Sequence, residues 1–210
     1  MILIQWNISI NYATIFNHNE SNFMNNNLTL ILKAACFAAE KHRGQMRKGE
    51  DLTPYINHPL NVARILVEEG GVEDPEVIAA ALLHDTIEDT DTTQDELAEN
   101  FGARVASMVF EVTDDKSIKD KGERKRQQVI NAPNKSEGAA LIKLADKTSN
   151  VRDVGSRPAA GWSYAKRIEY LDSAQRVVNA LPISDHPLKN VFQIAVINSI
   201  ALVNTKTDKK

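Results

Sequence analysis

The sequence lacks several features that would assign it to a specialised class of protein. It has a single cysteine, Cys36, which cannot form an internal disulfide and lies in an apolar run that predicts a buried thiol in a helix. No apolar run approaches the roughly 18–20 residues that a membrane-spanning helix requires. We therefore expect a cytoplasmic protein with neither a disulfide framework nor a membrane partner.

The chain also has no excess of positive charge. Its 25 Lys and Arg residues against 28 Asp and Glu residues give a net charge of −3, which argues against a broad basic surface for nucleic acid. A phosphate-rich ligand would therefore need a local basic cluster, and the predicted loop 43–54 supplies Arg43, Arg47 and Lys48. We expect no nucleic-acid partner and infer no obligate protein partner.

Sustained alternation of apolar and polar residues is missing as well, whereas apolar residues recur at helical spacing along the chain. This pattern predicts a single all-α domain of about eight to ten helices over residues 28–203. Asn27 is expected to cap the first helix, and Thr93 with Glu96 has the spacing of a capping box.

The two ends of the chain fall outside this pattern. Residues 1–23 are rich in Asn and contain neither Lys nor Arg. We expect residues 1–27 to be an N-terminal extension that is either disordered or the product of a start assigned too early, with Met24 as the alternative start. Residues 204–210 are predicted to be a disordered tail.

The most apolar predicted helix begins at Pro75 and runs through Ile87. It contains His84 and Asp85, although an ionised carboxylate in apolar surroundings is costly unless it is paired or bound to a metal. Glu88 and Asp89 follow within about one helical turn. Four such residues within six positions favour a functional site over ordinary packing.

Two further segments supply the groups that would complete a metal site. His58 precedes Pro59 at a predicted helix start, and Asp146 follows the apolar run 141–145, with Asn150 one turn further on. Two imidazoles and two carboxylates suit Mn²⁺, Fe²⁺ or Zn²⁺ and leave positions open for water and substrate. With an adjacent carboxylate to orient or deprotonate water, such a site makes phosphate-ester hydrolysis accessible.

Taken singly, these features have ordinary explanations. Glu88, Asp89 and Asp91 also suit a solvated helix end, and a basic loop is often a solvated surface. A lone histidine such as His42 or His186 is more often structural than a ligand.

Read together, four ordered segments resemble the HD superfamily, and within it the hydrolase domain of the RelA/SpoT family. They are KHRGQMRK at 41–48, YINHPL at 55–60, LHDTIEDT at 83–90 and KLADK at 143–147. The resemblance covers about residues 28–181 and implies an HD-type helical bundle. The length leaves no room for the synthetase and regulatory domains of the long members, so we expect a small, stand-alone hydrolase of the metazoan SpoT branch.

The resemblance implies a role for each motif residue. The metal ligands would be His58, His84, Asp85 and Asp146, and the catalytic carboxylates would be Glu88 and Asp89. The ion is usually Mn²⁺ in this family, and other divalent metals would also fit. His42 belongs to the motif but is not a ligand in the family.

The same resemblance implies a set of substrate contacts. Arg47 would pack against the guanine base, Lys48 would meet phosphate, and Asn150 would contact the ribose or base. Looser matches place Tyr170 at the nucleoside. The remaining candidates, for the outer phosphates, are Lys121, Lys143 and Arg167.

The implied reaction removes the 3′-diphosphate of guanosine tetra- or pentaphosphate, (p)ppGpp. Water attacks phosphorus and the 3′-oxygen leaves, which gives GDP or GTP and pyrophosphate. One alternative is an NADPH 2′-phosphatase or another HD-type nucleotide hydrolase, which would share every metal ligand. Another is a non-catalytic alarmone-binding module, which would be expected to lack Glu88 or Asp89, whereas both are present.

Overall fold

The computed structural model describes residues 12–48 and 52–205, with side chains from residue 24 onward. This part of the chain is helical and contains no β-strand; an isolated β-bridge pairs Met46 with Pro54. The all-α class predicted from the sequence is confirmed.

The α-helices are numbered in chain order. They are α1 (Tyr12–Lys41), α2 (Asn57–Arg64), α3 (Pro75–Leu83), α4 (Thr86–Asp89), α5 (Gln94–Phe101), α6 (Ala103–Val112), α7 (Lys121–Asn131), α8 (Glu137–Ser156), α9 (Tyr164–Ala180) and α10 (Pro187–Thr205). A π-helical turn, Ile65–Glu69, extends α2, and a 3₁₀ turn, Ala132–Asn134, follows α7. Within the described residues, no helix is both long and apolar enough to cross a membrane.

The first helix is longer than predicted. α1 begins at Tyr12, so the expected cap at Asn27 was wrong, and residues 12–27 of the predicted extension are helical. Asn-rich sequence has a weak intrinsic preference for helix, but here it continues a helix whose later half packs on α3. The domain boundary at residue 28 stays a prediction, and the expectations for residues 1–11 and 206–210 lie outside the described residues.

Cys36 was predicted to be buried, but its side chain is exposed. Ala34 and Ala38 on the same helix are fully buried, so Cys36 lies on another face of α1. An apolar run in an amphipathic helix does not bury every residue.

α3 lies at the centre of the bundle, as its apolar sequence predicts. It packs against α1, α2, α6 and α8, and Ala79, Ala80, Ala81 and Leu83 have no exposed surface. The residues that follow α3 are therefore delivered to the interior.

The predicted continuation of this helix through Ile87 is interrupted. α3 ends at Leu83 and α4 begins at Thr86. The Thr86 hydroxyl donates to the Leu83 carbonyl (2.7 Å) and His84 Nδ1 donates to the Ala81 carbonyl (2.8 Å). These side chains satisfy carbonyl groups that lose their backbone partners where a helix ends.

α8 is the second buried helix of the bundle, and it packs along α10. The two helices approach closely at Gly155, where an added Cβ would lie 2.6 Å from Ser199 Oγ. Arg152, one turn before Gly155, donates two hydrogen bonds of 2.7 Å to Glu69 in the π-helical turn. These contacts hold α8 against the segment that follows α2.

The helix start predicted at Thr93 is confirmed, but the second bond of a capping box is not found among the described residues, because the Glu96 carboxylate pairs with Lys41. Thr93 Oγ1 accepts a hydrogen bond of 3.1 Å from the Glu96 amide. The helix ends at Gly102, whose φ of 92° suits glycine, and α6 starts at the next residue.

Candidate metal centre and substrate cavity

Three elements bring two imidazoles and two carboxylates together. His58 lies in the first turn of α2, His84 and Asp85 form the α3–α4 junction, and Asp146 lies in the middle of α8. His58 Nε2 is 3.2 Å from Asp146 Oδ1 and 3.6 Å from Asp85 Oδ2. His84 Nε2 is 3.2 Å from Asp85 Oδ2 and 3.9 Å from Asp146 Oδ1. The ligand atoms of His58, His84 and Asp146 all lie within 4.8 Å of one another, so these three residues could hold one ion. Asp85 lies beside both imidazoles.

The two imidazoles present the donor atoms that a metal needs. His84 Nδ1 donates to the Ala81 carbonyl, so Nε2 carries the lone pair whenever the ring is neutral; this nitrogen is buried and has no hydrogen-bond partner among the described residues. His58 Nδ1 lies 3.3 Å from Ser149 Oγ, which also accepts a 2.9 Å hydrogen bond from Asn61. A partner on the outer nitrogen orients an imidazole for metal binding. The residues present therefore fit a divalent cation.

The charges of this cluster are strongly coupled. Burial lowers the pKa of His58. Burial also opposes a charge on His84, but Asp85 and Asp146 outweigh it and raise the pKa of His84 to about 9. Although burial works against ionised carboxylates, His84 holds the pKa of Asp85 well below its usual range, and His58 lowers that of Asp146. In the metal-free protein a proton on His84 offsets part of the negative charge, and a cation would take over that role.

The two predicted catalytic carboxylates lie in α4 beside this cluster, in different surroundings. Glu88 is half-buried and accepts a hydrogen bond of 3.1 Å from the Asp114 amide. Burial, followed by the charge of Asp114, raises the pKa of Glu88 to about 7. Asp89 is exposed and accepts a 2.8 Å hydrogen bond from Lys116 Nζ. Glu88 is thus the carboxyl group that can hold a proton near neutral pH.

Tyr55 connects the metal cluster to these carboxylates and was not predicted as a site residue. Its hydroxyl donates to Asp85 Oδ2 at 2.6 Å and lies 3.2 Å from Asp89 Oδ2. Burial and Asp85 raise the pKa of Tyr55, so the phenol keeps its proton. Tyr55 precedes His58 by three residues, but an aromatic residue beside a motif is usually read as packing.

A cavity of about 650 Å³ opens beside the cluster. Its wall combines the loop 45–48, which contains Arg47 and Lys48, with residues of α2, α8 and α9. The other polar and aromatic residues that line it include Tyr55, His58, Asn61, Asp89, Ser149, Asn150, Asp153, Arg157, Trp162 and Tyr170.

Hydrogen bonds join the cavity wall to a metal ligand. Arg47 donates to Asn150 Oδ1 at 2.8 Å and to Asp153 Oδ2 at 2.9 Å, and its guanidinium carbon lies 5.6 Å from the centre of the Tyr55 ring. Asn150 in turn donates to Asp146 Oδ1 at 2.5 Å. The carboxylate of Asp153, another residue that the sequence did not reveal as part of the site, therefore fixes the direction of Arg47.

A family model described as "HD domain" matches residues 34–171. The chain belongs to the HD-domain family. The adjacent residues His84 and Asp85, whose one-letter codes spell HD, lie at the break between α3 and α4.

Relatives of this HD domain are similar over most of their length. The guanosine-3′,5′-bis(diphosphate) 3′-pyrophosphohydrolase of Mus musculus is 53% identical over 163 residues, which cover 78% of this chain and 90% of the relative. The enzyme of the same name from Danio rerio is 55% identical over 152 residues, or 72% and 84% of the two chains. A solved structure of "a metazoan ortholog of SpoT" that "hydrolyzes ppGpp" has a TM-score of 0.76 and 42% identity, and the match covers 79% of this chain and 93% of that one.

The remaining predicted contacts of the HD domain lie in different places. Lys48 is exposed at the cavity, and the Tyr170 ring lies in its wall, 5.6 Å from the ring of Trp162. Lys143 is buried, with its Nζ 3.2 Å from the Val112 carbonyl and 4.0 Å from Asp146 Oδ2. Lys143 is thus adjacent to the cluster itself.

Two of the residues predicted to meet the outer phosphates have no such position. Lys121 is exposed at the start of α7 and is not among the described residues that line this cavity. Arg167 is buried and donates to the carbonyls of Val154 (3.1 Å) and Gly155 (3.0 Å) near the end of α8. Their phosphate contacts stay predictions without a supporting contact.

Proposed function

We propose that this chain is a metal-dependent guanosine-3′,5′-bis(diphosphate) 3′-pyrophosphohydrolase, which converts (p)ppGpp to GDP or GTP and pyrophosphate. The observation that carries the proposal is the cluster of His58, His84, Asp85 and Asp146 at the edge of a nucleotide-sized cavity. Relatives that carry this name are more than half identical to the chain.

The metal in this proposal is Mn²⁺. A mixed set of nitrogen and oxygen ligands with open positions suits this ion, as it suits other divalent metals of the first transition row. When bound, such an ion supplies Lewis acidity toward a phosphoryl group and an activated water. Contacts from neighbouring groups hold the ligands in place. Ser149 contacts His58, the Ala81 carbonyl accepts a hydrogen bond from His84, and Tyr55 donates one to Asp85.

The protein's own groups divide the remaining work. The raised pKa of Glu88 allows it to keep a proton near pH 7 and to donate it to the leaving 3′-oxygen. Asp89 lines the cavity and accepts a hydrogen bond from Lys116, which supports a role for it in orienting the attacking water. Lys48 meets the nucleotide phosphates at the mouth of the cavity.

The nucleoside is proposed to occupy the large cavity. Arg47 offers a planar guanidinium to the guanine base, and Tyr170 with Trp162 forms the aromatic wall. Asn150 is placed to contact the ribose or base from the metal side. The ion pair with Asp153 holds the Arg47 guanidinium in its orientation at the cavity wall.

We also propose that the protein acts in the cytoplasm without a nucleic-acid or obligate protein partner. The single cysteine and the net charge of −3 support this setting.

The test is release of pyrophosphate from ppGpp by the purified protein supplied with Mn²⁺. Asp85→Ala removes a metal ligand and Glu88→Ala removes the proton donor, so both should abolish release. Asp172→Ala, in an exposed position on α9, is the matched control and should retain full activity. An NADPH reaction is run in parallel, and dephosphorylation of NADPH without any release from ppGpp would refute the proposal in favour of a 2′-phosphatase.

A further inference from the structure

Two residues just beyond α1, His42 and Gln45, have no task in the function proposed above. His42 directly follows the helix and is only 3% exposed, and Gln45 lines the large cavity. His42 Nδ1 lies 2.8 Å from Gln45 Oε1, and Gln45 Nε2 donates to the main-chain carbonyl of Asp89 at 2.9 Å. A continuous chain of hydrogen bonds therefore runs from a buried imidazole to the last residue of α4.

The direction of each bond in this chain follows from its last member. A main-chain carbonyl can only accept, so the amide nitrogen of Gln45 faces Asp89 and its oxygen faces His42. An amide oxygen also only accepts, so Nδ1 of His42 carries a proton. In the neutral ring the lone pair is then on Nε2, which is buried without a hydrogen-bond partner among the described residues.

The unpartnered Nε2 argues against a histidine that serves packing alone. A buried nitrogen normally has a partner, because leaving it unpaired costs free energy. The His42 ring packs on the ring of Tyr55, with 4.8 Å between their centres, and a phenylalanine would fill this place without a polar atom. What histidine adds is the Nδ1–H group that it donates to Gln45.

The main chain of Gln45 is fixed as well. Its amide donates to the His42 carbonyl at 3.0 Å, and its carbonyl accepts from the Tyr55 amide at 2.9 Å. The side-chain oxygen is occupied by His42. The amide nitrogen of Gln45 is thereby directed toward Asp89.

Helix α4 needs such support because it has only four residues. A helix this short has little stability of its own, and its last carbonyls have no partner within the helix. Side chains from outside α4 supply partners, since Lys116 donates to the Glu88 carbonyl and Gln45 to the Asp89 carbonyl. The carbonyl end of α4 carries the Asp89 carboxylate, so the bond from Gln45 bears on the direction of that carboxylate.

We propose that Gln45 and His42 are positioning residues for the reaction, which fix the carbonyl end of α4 and so the direction of the Asp89 carboxylate. The effect on catalysis rests on the proposed function, whereas the state of the His42 ring can be measured without turnover.

The first experiment is steady-state hydrolysis of ppGpp with Mn²⁺. Gln45→Met removes both side-chain hydrogen bonds at nearly constant length, so kcat should fall about tenfold, the effect of about one hydrogen bond. KM should stay within about twofold of the wild-type value, since no substrate contact is lost. Gln175→Met, which replaces a glutamine bonded to Asn179 within α9, is the matched control and should equal the wild type.

Two variants of His42 separate the hydrogen bond from packing. His42→Phe keeps a ring against Tyr55 but has no donor, so kcat should fall as in Gln45→Met. His42→Asn loses the ring but places an amide N–H close to the position of Nδ1, so its kcat should exceed that of His42→Phe. A wild-type kcat in His42→Phe, or a raised KM with unchanged kcat in Gln45→Met, would overturn the proposal.

A spectroscopic readout does not depend on activity. In the metal-free protein with ¹⁵N-labelled histidine, long-range ¹H–¹⁵N correlations show which ring nitrogen carries the proton, and His42→Asn identifies the His42 signals by their loss. The proton should be on Nδ1 in the wild type and on Nε2 in Gln45→Met, where Nδ1 has lost its acceptor. A wild-type ring with its proton on Nε2 would refute the hydrogen-bond chain. If the wild type does not hydrolyse ppGpp, the proposed function fails, whereas the ring proton still decides whether the chain exists.

Discussion

At the scale of single residues, Tyr55 joins two groups to which separate tasks are proposed, the metal ligand Asp85 and the catalytic carboxylate Asp89. Tyr55→Phe removes the hydroxyl and leaves the ring that packs against His42 and Arg47. We expect Mn²⁺ affinity to fall about tenfold, the lower end of the usual effect of losing a hydrogen bond to a metal ligand. Titration calorimetry with Mn²⁺ measures this directly.

The matched control is Tyr164→Phe, because the Tyr164 hydroxyl is hydrogen-bonded to Asn204 rather than to a residue of the cluster. Its Mn²⁺ affinity should equal that of the wild type. An unchanged affinity in Tyr55→Phe would show that Asp85 keeps its orientation without the phenol.

Glu88 makes the stability of the metal-free protein depend on pH. Its pKa is about 7 in the folded state against an ordinary value of 4.5, so between these values the folded chain holds a proton that the unfolded chain releases. The contribution of this group to the free energy of unfolding is therefore full below about pH 4.5 and is lost as the pH rises through 7. Urea unfolding in the presence of a chelator, compared with Glu88→Gln at each pH, measures the difference.

The expected curve has a defined shape. The stability of the wild type relative to Glu88→Gln should fall from pH 5 to pH 7 and then level off. A difference that stays constant or rises over this range would contradict the raised pKa.

The sequence shows which residue types are available, but their partners depend on the fold. His58, His84, Asp85 and Asp146 were predicted as ligands because a motif carries them, and the structure brings their side chains together. Tyr55 and Asp153 act through hydrogen bonds to residues distant in sequence, so no local pattern revealed them. The predicted phosphate contact of Arg167 shows the same limit, because a guanidinium serves a phosphate or a helix carbonyl equally well.

At the scale of helices, Arg167 links α9 to the end of α8. Arg167→Met leaves the carbonyls of Val154 and Gly155 without this donor. We expect the free energy of unfolding to fall by about 1–3 kcal/mol, the usual cost of an unsatisfied buried polar group. Urea unfolding measures the loss, with Arg176→Met, an exposed arginine of α9 paired with Asp172, as the control.

The same variant tests the alternative role of Arg167. If Arg167 met an outer phosphate, KM for ppGpp would rise while the free energy of unfolding stayed at the wild-type value. The hydrogen bonds to α8 predict the opposite result: the free energy of unfolding falls, while KM for ppGpp stays at the wild-type value.

Helix positions were largely predictable, whereas helix ends were not. Apolar spacing predicts helical segments around 139–151, 162–181 and 187–203, and the structure has α8, α9 and α10 there, with ends that differ by up to five residues. The break after Leu83 was not predicted, because it depends on bonds from His84 and Thr86 to carbonyls of the preceding turn. Residues of α3 are apolar on nearly every face, so periodicity there carries no information on where the helix stops.

At the scale of the whole molecule, the proposed metal centre joins three elements, α2, the α3–α4 junction and α8. A cation that binds the folded chain and not the unfolded chain raises the free energy of unfolding, by about 2.7 kcal/mol at a concentration of 100 Kd. We expect removal of the metal by a chelator to lower Tm by several degrees, and Mn²⁺ to restore it. Thermal unfolding followed by circular dichroism is the measurement.

Asp146→Asn is the control for this effect, because it removes a ligand charge with little change in shape. Its Tm should be insensitive to Mn²⁺. A Tm of the wild type that does not respond to metal would mean that the cluster does not bind it in the folded state.

The position of Asp146 in α8 also sets when the centre can form during synthesis. A nascent chain that ends before residue 137 already carries His58, His84 and Asp85, but it lacks the last ligand and the helix that packs beside α3. On the ribosome, such a chain lacks the complete set of ligands for an ion. Capture of a divalent metal by this cluster would therefore follow the emergence of α8, and only chains translated past this helix would compete for it.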